Sequence, residues 1–259
     1  TNGMFPCMPV AVCTTANGRR LIHETKSYLE KHYNATIVYG DTDSVFVIFP
    51  GVTTIEEAFR ISDEAAERVS ATFPDVVELE NEASINPFLL VKKKTYAGMK
   101  YEGDPSAPPS LYVKGLAVVR RDNCEYVRDI MRDVLHLTMH ESNPMAAYDT
   151  VKVAVDALVA RRVPLSKLQI SNSLKKEEEY TNKCQPQLTV VRKMRERKAF
   201  DVPRCGDRVP FVIVEDLRKS LVSERAEDPK YVEDHPDIKI DTEYYLNNQL
   251  LNRIKSIVD

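Results

Sequence analysis

Tyr39-Gly40-Asp41-Thr42-Asp43-Ser44 is the most informative segment of the sequence. It lies between two short apolar runs, residues 35–38 and 45–49, both rich in β-branched residues. Glycine and aspartate suit a tight connection, so the pattern predicts a β-hairpin that carries its carboxylates at the tip. Two carboxylates one residue apart on an extended backbone are expected to point to the same side.

The two acids of this stretch, Asp41 and Asp43, are the candidate catalytic and metal-binding residues. Such acids repel each other unless a cation lies between them, and Mg²⁺ prefers hard oxygen ligands. The pattern therefore indicates part of a metal site for phosphoryl transfer. A solvated turn without a metal is the alternative, because Asp and Gly are ordinary turn residues.

The same six residues resemble the third polymerase motif of the family B DNA polymerases, which forms a hairpin in the palm domain. Further segments resemble that family in the same order along the chain. Residues 89–98, LLVKKKTYAG, resemble the Lys-Lys-Arg-Tyr segment of the delta-like branch. Segments similar to the palm-to-thumb connection, a thumb signature and the closing thumb helix follow at residues 114–124, 206–213 and 241–250.

The resemblance implies an α+β fold, in which a polymerase palm (an antiparallel sheet with packed helices) is followed by a mainly α-helical thumb. Residues 1–119 are expected to form the later half of the palm, with the metal-binding hairpin, and residues 120–259 the thumb. The apolar periodicity of the sequence predicts four main helices, with Thr54 as an N-cap. These helices are expected over residues 8–32, 54–73, 125–140 and 145–160. Strands are expected around residues 76–77 and over residues 89–96.

The resemblance also implies the activity of a DNA-directed DNA polymerase in DNA replication, which is template-directed nucleotidyl transfer by a two-metal mechanism. It implies two Mg²⁺ ions, or Mn²⁺ as a substitute. The implied partners are primer–template DNA and deoxynucleoside triphosphates. An earlier family motif with another essential Asp, the fingers helix and the exonuclease motifs do not occur in this sequence. The chain alone is therefore expected to be inactive.

Within the hairpin, the resemblance implies a different role for each acid. Asp43 is expected to be a main bridging ligand of the metal ions, and Asp41 is expected to coordinate or tune one ion. Residues that shape the turn and its entry are expected at Tyr39, Gly40, Thr42 and Ser44.

Basic residues of the later segments are the candidate DNA contacts. The resemblance implies that Lys93 and Lys94 meet the primer–template near the newly made base pair, with Tyr96 packed or hydrogen bonded beside them. This chain has Thr95 where the delta-like pattern has Arg, which removes a guanidinium contact. Solvated surface charge is the alternative for each base. The remaining candidates, expected to contact the DNA backbone, are Lys114, Arg120, Arg121, Lys193, Arg195 and Arg208.

Charge is segregated along the chain, although the net charge is only −3. Residues 56–82 hold about nine acids against two bases, whereas residues 92–121 and 192–208 each hold about seven bases. Basic segments of this kind can neutralise phosphates, and a surface of mixed charge is the alternative. No apolar run approaches the roughly 18 residues that a membrane span needs, so no membrane partner is expected.

Three functional hypotheses remain open from the sequence. The first is a catalytic part of a replicative DNA polymerase. The second is a duplex-binding, polymerase-like module without catalytic activity, and the third is an unrelated two-metal nucleotidyl transferase or nucleotide cyclase with a similar palm. Five scattered cysteines indicate reduced thiols inside a cell. The resemblance implies a nuclear location or a viral replication site in an infected cell. It leaves a large DNA virus open as the source, and a sliding clamp or accessory subunits open as further partners.

Overall fold

The computed structural model describes residue 5 and residues 7–258, except 217 and 219. Residues 1–4 and 6 of the predicted palm, and residue 259 of the predicted thumb, lie outside the described residues. Helices and small antiparallel sheets alternate along the chain, which is an α+β arrangement. Contacts divide the chain into one unit of Thr1–Lys94 with Gly98–Tyr112, and a second of Thr95–Ala97 with Val113–Asp259.

The hairpin predicted around residue 42 is present in the first unit. β1 (Thr36–Asp41) pairs antiparallel with β2 (Ser44–Ile48), and Asp41 lies opposite Ser44, so the connecting loop has two residues. α1 (Met8–Tyr33) precedes the hairpin, close to the predicted bounds. α1 ends at Asn34, whose φ of 49° turns the chain into β1. The predicted helix and hairpin are therefore confirmed.

α2 (Ile55–Ser70) follows the hairpin and covers one side of it. Its N-cap is Thr54, as predicted, because the Thr54 hydroxyl accepts the Glu57 N–H at 3.2 Å. The apolar stripe of α2 packs with α1 and the hairpin in one core, so burial of apolar side chains holds the hairpin in place. The fully buried members of this core are Leu29, Ala35, Ala65 and Val69. Partly buried side chains around them are Tyr28, Tyr33, Ile37, Val45, Val47, Phe49, Phe73 and Leu79.

The lysine-rich segment forms a turn, and the prediction of one continuous strand over residues 89–96 is wrong. β3 (Ser84–Lys92) ends before Lys93, and β4 (Thr95–Tyr101) begins after Lys94. Lys94 has a φ of 59°. Sequence patterns miss such a turn because residues 92–95 contain no Gly, Pro, Asn or Asp to mark it. β5 (Ser110–Lys114) completes a sheet with the order β3-β4-β5.

The predicted strand at residues 76–77 is also wrong. These residues lie in an irregular turn after α2, where the Val77 N–H donates to the Pro74 carbonyl at 2.8 Å. Two adjacent valines have a high β-propensity, but no neighbouring strand pairs with them in the described part of the chain.

Gly98 in β4 lies close to β3, and a substitution at Gly98 tests the packing of the first unit. A Cβ at this position would lie 2.2 Å from Ile85 Cγ2 and 2.9 Å from the Pro87 carbonyl oxygen. Gly98→Ala is therefore expected to lower the free energy of unfolding by about 1–3 kcal/mol, because the strands must separate. Urea denaturation measures this change.

Gly18 offers a matched control for that substitution, because it lies in α1 and an added Cβ would meet no atom within 4 Å. Gly18→Ala is expected to raise the free energy of unfolding by up to about 1 kcal/mol through helix propensity. Equal effects of the two substitutions would contradict the close approach at Gly98.

Helices are the main regular structure of the second unit, and a small sheet accompanies them. The α-helices are α3 (Glu125–Met139), α4 (Pro144–Val159), α5 (Leu165–Leu168), α6 (Pro186–Glu196), α7 (Pro229–Asp234), α8 (Thr242–Tyr244) and α9 (Asn252–Val258). The other helical elements are a π-helix at Tyr245–Leu251 and 3₁₀ turns at Ala117–Val119 and Glu177–Glu179. The antiparallel sheet has the order β6 (Ile170–Ser173), β7 (Arg208–Ile213) and β8 (Ala226–Glu227). α3 and α4 confirm the helices predicted over 125–140 and 145–160.

α3 and α4 form an antiparallel pair that carries much of the second unit's core. Asn143 caps α4, since its side-chain oxygen accepts the Ala146 N–H at 3.0 Å. Tyr245 is 1 % exposed, and its hydroxyl accepts the Ile213 N–H at 3.2 Å, which joins the π-helix to β7. The largest buried side chains of this unit also include Val127, Met131, Leu135, Leu158, Val190, Val209, Val212 and Leu250.

A buried carboxylate fixes the C-terminal end of α6 to the small sheet. Glu227 in β8 is 4 % exposed and accepts two hydrogen bonds from the Arg197 guanidinium, at 2.8 and 2.9 Å. Lys193 Nζ lies 3.3 Å from the same carboxylate and donates to the Ala226 carbonyl at 2.8 Å. Lys193, a candidate DNA contact from sequence, is therefore engaged in the packing of α6.

No helix in the described ranges is both long enough and apolar enough to cross a membrane.

Candidate functional site

The tip of the hairpin is a tight loop of two residues, Thr42 and Asp43. Thr42 has a φ of 57°, a conformation that is costly for a β-branched residue. Three hydrogen bonds hold it: Asp43 N–H to the Asp41 carbonyl at 2.6 Å, Ser44 Oγ to the same carbonyl at 3.2 Å, and Thr42 Oγ1 to Asp41 Oδ1 at 3.1 Å. The two acids therefore flank a turn residue, and the expectation that they lie on an extended backbone is wrong.

The lysine turn is bonded directly to this acidic tip. Lys94 Nζ lies 2.5 Å from Asp41 Oδ1, and the Lys94 main-chain N–H donates to the Tyr39 hydroxyl at 2.8 Å. Both contacts join residues more than 50 positions apart in sequence, and all three residues belong to the first unit. The structure thus brings together the two segments that the sequence marked separately.

A row of three aromatic rings packs beside the contact between Lys94 and the hairpin. The rings of Tyr39 and Phe46 have centroids 5.5 Å apart, and the rings of Phe46 and Phe88 stack at 5.2 Å. Phe88 lies in β3, so the stack links the strand that leads into the lysine turn with both strands of the hairpin. Tyr39 therefore does more than set the entry of the turn, because its ring packs on Phe46 within the hairpin and its hydroxyl accepts the Lys94 N–H.

Electrostatics at the tip favour an ionised Asp41. The hydrogen bond from Lys94 is the main cause that lowers the pKa of Asp41 below its ordinary value. The same hydrogen bond raises the pKa of Lys94, and the negative charge of Asp43 adds to this effect. Both hairpin carboxylates thus act on one ammonium group.

Asp41 and Asp43 are a donor set that suits a magnesium ion. Asp43 is exposed, and the Asp41 side chain is partly exposed beside it. Among the residues that the structure describes, no group of three or more His, Cys, Asp or Glu is placed to hold an ion. Two carboxylates nevertheless fit Mg²⁺, which commonly binds one or two carboxylates and takes its other oxygens from water and substrate phosphates.

The other predicted residues of the lysine segment differ in exposure. Lys93 is exposed at the turn, Thr95 is partly buried at the start of β4, and Tyr96 is 6 % exposed. Tyr96 is therefore buried, and its role beside the primer–template stays a prediction.

Most of the predicted contacts with the DNA backbone lie at exposed positions of the second unit: Lys114, Arg120, Arg121, Arg195 and Arg208. Arg120 pairs with Asp122 through two hydrogen bonds, at 2.6 and 3.0 Å, and this pairing raises the pKa of its guanidinium. Arg208 is bound along β6, where it donates to the main-chain oxygen of Ser171 and to the hydroxyls of Ser171 and Ser173.

The chain is similar to known DNA polymerases along its whole length. The sequence profile described as DNA polymerase family B matches residues 1–259. The DNA polymerase delta catalytic subunit of Oryza sativa subsp. japonica is 39% identical over 259 residues, which cover 96% of this chain and 23% of that protein.

Relatives from two further organisms have the same name and a similar sequence identity. The delta catalytic subunit of Glycine max is 38% identical and that of Caenorhabditis elegans 36% identical, each over 100% of this chain. The chain spans about a quarter of the length of these relatives, 24% and 25% respectively. Because the family profile matches the whole chain, the chain belongs to DNA polymerase family B.

Proposed function

We propose that this chain is the part of a DNA-directed DNA polymerase that holds the metal-binding hairpin of the palm and the thumb, with residues 1–119 and 120–259 as the two parts. The observation that supports this most directly is the bond between the lysine turn and the acidic tip at Asp41. The reaction is template-directed nucleotidyl transfer during DNA replication. Primer–template DNA and deoxynucleoside triphosphates are its substrates.

Asp43 and Asp41 are the residues that would hold the divalent ions, two Mg²⁺ or Mn²⁺ in their place. When bound, such ions activate the attacking oxygen and stabilise the leaving group, as is general for two-metal enzymes, polymerases among them. Asp43 contributes the exposed carboxylate. The hydrogen bonds of Thr42 and Ser44 to Asp41 shape the turn that carries both acids, and the hydrogen bond from Lys94 lowers the pKa of Asp41.

The basic residues neutralise and position the duplex. Phosphate contacts orient DNA without reading its sequence, which suits an enzyme that copies any template. Lys93 and Lys94 at the turn act nearest to the hairpin, and Tyr96 is a further proposed contact with the primer–template. The further proposed contacts are Lys114, Arg120, Arg121 and Arg208.

Activity is tested by joining the chain to a preceding palm-and-fingers segment that carries the earlier Asp motif. Extension of a labelled primer with Mg²⁺ is the expected result, whereas the chain alone is expected to bind duplex DNA without extending it. Duplex binding without extension by the joined protein would favour the alternative of a polymerase-like module that lacks catalysis.

Lys93→Ala is expected to weaken binding of a primer–template by the chain, because one phosphate-neutralising charge is lost. The negative slope of the logarithm of the association constant against the logarithm of the salt concentration should become less steep by about 0.9, the value for one duplex phosphate contact. Fluorescence anisotropy at several salt concentrations measures this slope. Lys230→Ala, which removes an exposed charge in α7, is the control, and equal slopes for both variants would remove Lys93 from the proposed DNA surface.

The cellular setting is proposed from the same relatives. They come from rice, soybean and a nematode, which favours nuclear DNA replication, while a viral replication site remains a hypothesis. A sliding clamp or accessory subunits are further proposed partners.

A further inference from the structure

Lys94 occupies one of the two carboxylate oxygens of Asp41, a proposed ligand of a divalent cation. Asp41 Oδ1 already accepts the Lys94 ammonium at 2.5 Å and the Thr42 hydroxyl at 3.1 Å. An ammonium group and a divalent cation repel each other, so they cannot share this oxygen at bonding distance. A cation that binds Oδ1, or both carboxylate oxygens of Asp41, therefore displaces the Lys94 ammonium.

The main chain and the side chain of Lys94 are held in different ways. Its main-chain N–H is fixed to the Tyr39 hydroxyl at 2.8 Å, and the aromatic ring of Tyr39 packs against Phe46. Its side chain is 70 % exposed, whereas the Asp41 side chain is 24 % exposed. The ammonium can consequently move into solvent by rotation of side-chain bonds alone, while the turn stays in place.

We propose that Lys94 is an internal counter-ion of the acidic hairpin, which holds Asp41 when no divalent cation is bound and gives up this carboxylate when one binds. This inference rests on the proposed function and adds a regulation of the same site. Lys94 then has two exclusive positions, one on Asp41 and one directed away from it. Only in the second position is its charge available to a DNA phosphate.

Competition of this kind lowers the apparent affinity of the hairpin for the cation. Lys94→Met removes the ammonium but keeps an unbranched side chain, and the main-chain bond to Tyr39 does not depend on the side chain. This variant is expected to bind Mn²⁺ about tenfold more tightly than the unchanged chain, because an adjacent positive charge is lost. Lys94→Arg keeps a cation beside Asp41 and should stay within about twofold of the unchanged chain.

The experiment is a titration of the full chain with Mn²⁺, in which electron paramagnetic resonance reports the concentration of unbound ion. Lys92→Met is the matched control, because it removes the same charge two residues away at the end of β3. Tighter binding in Lys94→Met than in Lys92→Met, reversed in Lys94→Arg, is the expected result. Equal affinities of Lys94→Met and Lys92→Met would overturn the proposal, and so would undetectable Mn²⁺ binding by both the unchanged chain and Lys94→Met.

Asp43→Asn separates this inference from the function on which it rests. Loss of Mn²⁺ binding in Asp43→Asn, with equal affinities of Lys94→Met and Lys92→Met, would leave the proposed metal site intact and refute only the role of Lys94. Undiminished binding in Asp43→Asn would instead refute the proposed metal site itself.

Discussion

Asp43→Ala is expected to reduce primer extension by about 10³-fold or more, which corresponds to about 4 kcal/mol of lost transition-state stabilisation. The measurement uses the protein that includes the upstream palm and fingers, with saturating Mg²⁺ and deoxynucleoside triphosphates. The physical reason is that Asp43 supplies the exposed one of the two carboxylates proposed to hold the ions, and Asp41 alone cannot replace it.

Duplex binding distinguishes a catalytic loss from a folding loss in this variant. Asp43 is exposed and lies in a loop, so its removal should leave the affinity for primer–template nearly unchanged. Asp75→Ala, which removes an exposed acid elsewhere in the first unit, should extend primers at the normal rate. Normal extension by Asp43→Ala would exclude Asp43 from the metal ligands.

Glu227→Ala is expected to lower the free energy of unfolding of the chain by about 1.5–3 kcal/mol, the usual contribution of hydrogen bonds to charged groups, because Arg197 and Lys193 keep some access to water. The Arg197 guanidinium would lose both of its hydrogen bonds to the carboxylate, and Lys193 would lose its ion pair. Thermal or urea unfolding measures the change. Glu233→Ala, which removes an exposed acid in α7, is the control, and equal stabilities of the two variants would contradict the buried role of Glu227.

The Glu227 carboxylate also makes the free energy of unfolding of the chain depend on pH. Burial raises the pKa of Glu227, but the hydrogen bonds from Arg197 and the charge of Lys193 outweigh burial and leave the pKa below its ordinary value. A depressed folded-state pKa gives stability that is present above the unfolded value of about 4.3 and is lost as the pH falls through the folded value. The stability difference between the unchanged chain and Glu227→Gln should therefore shrink below about pH 4.

Local sequence patterns predict those helices and strands whose characteristic residues lie close together in the sequence. The hairpin was predictable because two β-branched runs flank a Gly-Asp loop, and α2 because Thr54 and an apolar stripe mark it. The lysine turn was not predictable, because Lys93 and Lys94 carry no turn signal and the turn is held by contacts with Tyr39 and Asp41.

The candidate site residues divide in the same way, into those that neighbouring residues identify and those that only folding brings together. Asp41 and Asp43 were identified from six adjacent residues. The bond between Lys94 and Asp41 spans 53 positions, so only folding brings its partners together. Lys193 was indistinguishable in sequence from a DNA contact, since its burial against Glu227 depends on a strand that lies 34 residues later.

Crystals of the chain with primer–template and Mn²⁺ would test most directly whether the acidic tip and the lysine turn form one site for cation and primer. We expect anomalous density at the Asp43 carboxylate, with the duplex beside Lys93. Anomalous density away from both hairpin acids, or a duplex bound on a surface that excludes residues 92–95, would contradict the account.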